Sequence, residues 1–185
     1  MKVGVLALQG DFEAHARAVR GAGGDPFEVR TTSELASADA LIIPGGESTT
    51  IRKLATNYGL LEPLRERARE GLPIFGTCAG MIACARTITD GEPPIIGVVD
   101  IDVRRNAYGR QVQSFEADID VGGVGEMRAI FIRAPRVERV GEKVEVLATH
   151  EGEPVVVRQG SILLAAFHPE LTDDVRLHRL FVGAL

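Results

Sequence analysis

LPIFGTCAGM, residues 72–81, decides the fold. An apolar stretch of buried-strand length, LPIFGTC (72–78), runs straight into a helical pattern, AGMIACARTI (79–88). Gly76 and Gly80 bracket Cys78 as G-x-C-x-G. A nucleophile on a sharp strand-to-helix turn needs small neighbours, because the backbone there is crowded and strained. Such a turn is expected to expose the sulfur and to aim the amino terminus of the next helix at it. It also sets the Ala79 N–H toward any oxyanion formed on a carbonyl that Cys78 attacks. A free cysteine is otherwise often a small buried hydrophobe. The glycines favour the nucleophile for Cys78, whereas Cys84, mid-helix among Ala and Ile, reads as packing.

The same alternation extends outward. KVGVLAL (2–8), PFEVR (26–30) and ALIIPGG (40–46) read as strands, the last ending in Pro-Gly-Gly. EAHARAVRGAG (13–23), STTIRKLATNYG and LLEPLRERAREG read as helices that close near a glycine. Strand and helix in turn imply βαβ units and a parallel sheet covered on both faces. The second half changes character. Segments near 97–103, 112–120, 127–133, 143–149, 154–158 and 161–167 read as strands, which predicts added antiparallel strands. DDVRLHRLFVGAL closes the chain as an amphipathic helix.

The bulk properties narrow the class. The 185 residues, 45% hydrophobic, suit one core, so a single domain over 1–185 is expected. A net charge of -5 with no Lys/Arg block argues against nucleic acid. No apolar run nears the roughly 18 residues of a membrane helix, and the apolar opening is short for a signal peptide. A soluble cytoplasmic protein with no membrane partner is expected. The two cysteines, 78 and 84, form no metal-ligand spacing and read as free thiols.

A nucleophilic cysteine usually works with a histidine distant in sequence. His15 falls in the first helical pattern and reads as a surface residue, His150 precedes a turn, and His178 lies in the last helix beside charges. His168 differs, because it ends the apolar run SILLAAF and opens H-P-E-L-T. Pro169 disfavours helix before it, and in an extended stretch positions 168 and 170 project to one side. Glu170 can then orient His168, which takes the thiol proton and later protonates the leaving amine.

A second turn, Pro44-Gly45-Gly46-Glu47-Ser48, follows the strand ALII. Its glycines let the backbone approach a ligand and offer a second oxyanion donor opposite Ala79, from Gly45 or Gly46. Glu47 and Ser48 either cap the next helix or bind polar groups of a substrate; spacing leaves both open.

GTCAGM, PGGES and FHPE together resemble the class I (triad) glutamine amidotransferases. VGVLALQGDFEAH, PGGESTTI, RRNAYGRQVQSFEADI and AAFHPELTDD are similar to the glutaminase-subunit family of pyridoxal 5′-phosphate synthases, over nearly the whole chain. The resemblance implies a three-layer, flavodoxin-like α/β fold with a mostly parallel central sheet flanked by helices. It implies hydrolysis of L-glutamine to glutamate and ammonia through a thioester on Cys78, with His168 and Glu170 completing the triad. It further implies glutamine binding by Gly46, Glu47, Ser48, Arg105, Ile132 and Arg133, and no cofactor or metal. The implied partner is a (β/α)₈-barrel synthase subunit, twelve copies decorated by twelve glutaminases, fed with ammonia through a channel. Gln9 and Gly10 match residues near that interface. Departures are modest: Met81, Ala83 and Cys84 stand where larger aliphatics are common, and Tyr108 where Phe is frequent.

Overall fold

A computed structural model describes residues 1–91, 93–105 and 114–184. The N-x-x-G-R-Q motif at 106–111 and Tyr108 lie outside the described residues. The first half follows the expected alternation: β1 (Lys2–Leu6), α1 (Phe12–Gly21), β2 (Asp25–Val29), α2 (Thr32–Ala36), β3 (Ala40–Ile43), α3 (Ser48–Asn57), α4 (Leu61–Arg69), β4 (Ile74–Thr77) and α5 (Ala79–Cys84). Then come β5 (Ala85–Ile88), β6 (Val99–Arg104), β7 (Ser114–Val121), β8 (Gly125–Ile132), β9 (Arg136–Val140), β10 (Glu145–His150), β11 (Glu153–Gln159), β12 (Ile162–Ala165) and α6 (Arg176–Gly183).

Seven strands form the main sheet in the order β10-β11-β12-β4-β3-β1-β2. The uniformly apolar ALII of β3, IFGT of β4 and ILLA of β12 are buried along their whole length, as interior strands covered on both faces must be. α1 packs with α6, while α2, α3, α4 and α5 pack among themselves, giving the two helical layers. α1 starts because the Asp11 carboxylate accepts the Ala14 N–H at 2.8 Å. Its inward stripe is Ala14, His15, Ala18 and Val19.

The register sets the site. β3, β4 and β12 run parallel, with Ile43 opposite Gly76 and Ala165 opposite Thr77. Their carboxyl ends therefore lie side by side, and the segments that follow them, Pro44–Glu47, Cys78 and Phe167–Glu170, emerge at one edge. This is where ligand sites form in open α/β sheets.

Several expectations need correction. β12 was expected among the antiparallel additions, yet it pairs parallel with β4 and antiparallel only with β11. The helix expected over 79–88 stops at Cys84, because the Ile96 and Val98 N–H groups take the carbonyls of Ala83 and Cys84 at 2.7 and 2.9 Å. Thr87 and Ile88, β-branched, continue as a strand beside β6. α2 and β9 were not anticipated. α2 carries a full capping box, Thr31 to the Glu34 N–H and Glu34 back to the Thr31 N–H.

Gly80 is where α5 meets β3. A methyl group there would collide with the backbone carbonyl of Ile43, which cannot swing aside as a side chain can. Gly80→Ala is expected to lower stability by about 1–3 kcal/mol, the usual cost of overpacking. Gly183→Ala, with nothing near its added methyl, is the control and should move stability by less than about 0.5 kcal/mol. Urea unfolding of both variants measures this, and equal midpoints would refute the tight approach.

Candidate active site

Cys78 bridges β4 and α5 with φ 48 and ψ -101, a left-handed backbone on a non-glycine residue. Such a conformation costs about 1–3 kcal/mol and persists only where its surroundings over-determine it. Here the Cys78 N–H continues the parallel ladder to the Ala165 carbonyl at 2.8 Å, and its own carbonyl accepts the Ile82 N–H at 3.2 Å. The sulfur is more covered than expected: Cys78 is only 4% exposed. Its thiol lies 3.8 Å from the Ile132 carbonyl.

His168 follows β12, and its N–H is held by the Ile130 carbonyl of β8 at 2.9 Å. The expected extended stretch is instead a single 3-10 turn over Pro169–Leu171. Glu170 still reaches back, its Oε1 lying 2.8 Å from His168 Nδ1. Burial by itself would lower the His168 pKa. Hydrogen bonding to Cys78 and Glu170, together with their charges, overrides burial and pushes it up to about 10. Since Nδ1 faces the carboxylate, Nε2 is the ring nitrogen left for the sulfur.

Gly45 fits between the two. A methyl built on it would sit 2.9 Å from His168 Nδ1 and 3.2 Å from Cys78 Cβ, so no larger residue leaves room for the ring. Its N–H donates to Thr77 Oγ1 at 3.0 Å. Gly45 therefore leaves room by lacking a side chain, while its N–H, expected as an oxyanion donor, is directed to Thr77 in this structure. Gly46 has φ 147, open to glycine, and lies against the Gln9 side chain. Gln9 Oε1 accepts the Glu47 N–H at 2.7 Å, pinning the turn to the β1–α1 loop.

One cleft of about 130 Å³ is walled by Cys78, His168, Gly46, Glu47, Ser48, Arg105, Ile132, Arg133 and Ile82. It gathers all six residues expected to bind glutamine. Ile82 was not anticipated, although it stands one helical turn beyond Cys78 on the same face. Glu47 is also the cap of α3, accepting the Thr50 N–H at 2.9 Å, and hydrogen bonds from the Thr49 hydroxyl first and the Thr50 hydroxyl next hold its carboxyl below the ordinary range. Of the two candidate caps, Glu47 takes the role, and Ser48 is buried in the first turn. Arg105 Nε bonds Asp90 at 2.8 Å. Arg133, exposed at the end of β8, shares with Cys78 a positive φ, 44. Cys84 is buried, and burial pushes its thiol up to about 12.

His15 was expected on the surface and is fully buried, 0% exposed, with its Nε2 3.3 Å from Glu170 Oε2. It sits on the inward stripe of an amphipathic helix, where its neighbours Ala14 and Ala18 already pointed inward. Among the described residues no group of His, Cys, Asp and Glu could hold a metal ion. No helix among them is long and apolar enough to cross a membrane.

Comparison with known proteins is consistent along the chain. Residues 5–185 match the profile of the SNO glutamine amidotransferase family. "Pyridoxal 5'-phosphate synthase subunit PdxT" of Frankia alni is 57% identical over 185 residues, covering 98% of this chain and 93% of the relative. The protein of the same name in Mycobacteroides abscessus is 57% identical over 183 residues, 97% of this chain and 95% of that one. Among solved structures, "Crystal structure of glutamine amidotransferase" is 53% identical, with a TM-score of 0.93 over 98% of this chain and 97% of its own.

The His168 shift carries a testable sign. Its folded pKa lies above the unfolded value near 6.5, so the stability it contributes is fully present below pH 6.5 and is lost as pH rises toward 10. The urea-unfolding gap between the native chain and His168→Asn should therefore be constant below about pH 6.5 and narrow above it. An imidazole titration by NMR should place the His168 midpoint well above 6.5 and move it down in Glu170→Gln. A gap that is flat from pH 6 to 10, or a midpoint at or below about 6.5, contradicts the ion-paired assignment.

Proposed function

Because the chain belongs to the SNO glutamine amidotransferase family, we propose that it hydrolyses L-glutamine to L-glutamate and ammonia through a γ-glutamyl thioester on Cys78. The ammonia goes to a synthase subunit that builds pyridoxal 5′-phosphate. The observation that carries this reading is the meeting of Cys78, His168 and the glutamine-sized cleft at the carboxyl edge of three parallel strands.

The roles follow from position. Cys78 has already given its proton to His168 Nε2 in the resting ion pair, and the sulfur attacks the side-chain amide carbon of glutamine. The C–O π pair moves to oxygen, making a tetrahedral oxyanion. Ala79, first residue of α5, and Gly46 supply the N–H donors for it. Support for Gly46 comes from its peptide. The Gly45 carbonyl faces Gly10, and the trans amide turns the Gly46 N–H the opposite way. His168 then protonates the departing nitrogen, the C–N bond breaks, and ammonia leaves. Water attacks the thioester with His168 as base, and glutamate is released with the thiol restored. Glu170 holds the ring and stabilises its positive charge. General acid–base help of this kind is worth about 10²–10⁴-fold.

Arg105 and Arg133 on the cleft wall supply cationic groups for the α-carboxylate of glutamine, and Glu47 with Ser48 supplies acceptors for its ammonium. The partner is a (β/α)₈-barrel synthase, assembled as twelve with twelve. Gln9 and Gly10, which touch the glycine turn, lie where docking acts on it. Channelling keeps the ammonia from protonation in solvent.

Ammonia release measured with and without the cognate synthase tests the proposal. Release from glutamine is expected with the synthase and not in Cys78→Ala, while His168→Asn still binds the synthase but loses at least about 10²-fold in turnover. Diazo-oxo-norleucine should alkylate Cys78 and spare the buried Cys84. No ammonia under any pairing, or an adduct mapped to Cys84, sinks the proposal.

A further inference from the structure

Behind the proposed triad lies a second line of buried polar groups. His15, His178 and Thr77 are each 0% exposed, and Glu170 is 7% exposed. His178 Nε2 is 3.0 Å from His15 Nδ1. His15 Nε2 is 3.1 Å from Thr77 Oγ1 and 3.3 Å from Glu170 Oε2. The other oxygen of Glu170 faces His168. Thr77 Oγ1 also accepts the N–H of Gly45, so the line reaches the glycine turn. It ties α1, α6 and β4 to the proposed catalytic carboxylate.

Where the protons sit follows from valence. Burial lowers the pKa of both His15 and His178, the latter to about 4, so each ring is neutral and carries one N–H. Suppose His15 carries its proton on Nδ1. It then donates to His178 Nε2, which forces the His178 proton onto Nδ1, a buried atom with no partner. The bare His15 Nε2 would also oppose Glu170 Oε2 at 3.3 Å, lone pair against lone pair. An orphaned buried donor and two opposed acceptors are both costly. The reverse arrangement removes both faults. His178 Nε2–H donates to His15 Nδ1, and His15 Nε2–H points at Glu170 Oε2 and Thr77 Oγ1. The acceptor Nδ1 of His178 stays bare, and Glu170 Oε2, which makes no hydrogen bond, keeps the 3.3 Å contact with the His15 Nε2–H.

We propose that His15, held as the Nε2–H tautomer by His178, is a positioning residue for the reaction, fixing the outer oxygen of Glu170 so that the inner one stays aimed at His168. The inference rests on the glutaminase reading given above for Glu170 and His168. Glu170 then lies between two imidazoles, hydrogen-bonded to the one on the reacting side and in electrostatic contact with the one behind it. Through Thr77 the same N–H also steadies Gly45, which fits between Cys78 and His168. His178 acts one step further back, by setting the tautomer of His15.

The test uses the glutaminase assayed with its cognate synthase, plus ¹⁵N NMR of the chain itself. A glutamine side chain can set its amide nitrogen near the place of Nε2, whereas asparagine reaches only the place of Nδ1. His15→Gln is therefore expected to keep kcat within about threefold, and His15→Asn and His15→Leu to lose about tenfold or more with KM nearly unchanged. In a Glu170→Ala background His15→Leu should cost little more, because the residue acts through that carboxylate. NMR should find His15 protonated on Nε2 and bare on Nδ1. Full activity in His15→Leu, equal losses in Gln and Asn, additive losses with Glu170→Ala, or an Nδ1–H tautomer would each overturn the proposal. If the native chain itself releases no ammonia with the synthase, the glutaminase reading fails instead, and the tautomer remains decidable by NMR.

Discussion

β4 lies between β3 and β12, and all three strands run the same way. This alignment puts three chain segments, separated by up to about 120 residues of sequence, within a side chain's reach at one edge. A slip of one residue between β4 and β12 would swap side chains between the two covered faces of the sheet and carry His168 off Cys78. The burial of both strands on two faces resists that slip. The pairing holds because Ile74, Phe75, Leu163 and Leu164 have no polar face to offer water.

The strain at Cys78 depends on that scaffold. A left-handed φ on a cysteine survives because the ladder grips its N–H from one side and α5 closes from the other. Gly76 and Gly80 permit the closure: a methyl on Gly76 would stand 2.8 Å from the Gly80 carbonyl oxygen. The sulfur is thereby turned toward the cleft while the residue stays almost wholly covered. Coverage also has an electrostatic effect. Burial alone would lower the proton affinity of His168, but it also strengthens the hydrogen bonds and charges of Cys78 and Glu170, which together outweigh it.

Much of this was legible before any coordinates. Continuous apolar runs marked β1, β3 and β4, and glycines bracketing a cysteine marked the bend, because both signals are local. His168 and Glu170 could be read from Pro169 and the end of an apolar run, although the turn that joins them is 3-10 and not extended. What escaped was non-local. The end of α5 is set by residues 96–98 taking its last carbonyls, and nothing within 79–88 announces that. The direction of β12 depends on which slot it fills. The burial of His15 follows from the stripe it shares with Ala14 and Ala18, and residue type alone does not announce it. α2 was a missed local signal, since T-x-x-E spelled its capping box.

The account stands or falls on a covalent bond at one sulfur. Glutamine labelled in its carbon chain can be mixed with the chain and its synthase, quenched in acid during turnover, and the peptides mapped by mass. A γ-glutamyl adduct is expected on the peptide carrying Cys78, formed and consumed at rates that match ammonia release. Turnover with no such adduct, or with the glutamyl group on another residue, would contradict it.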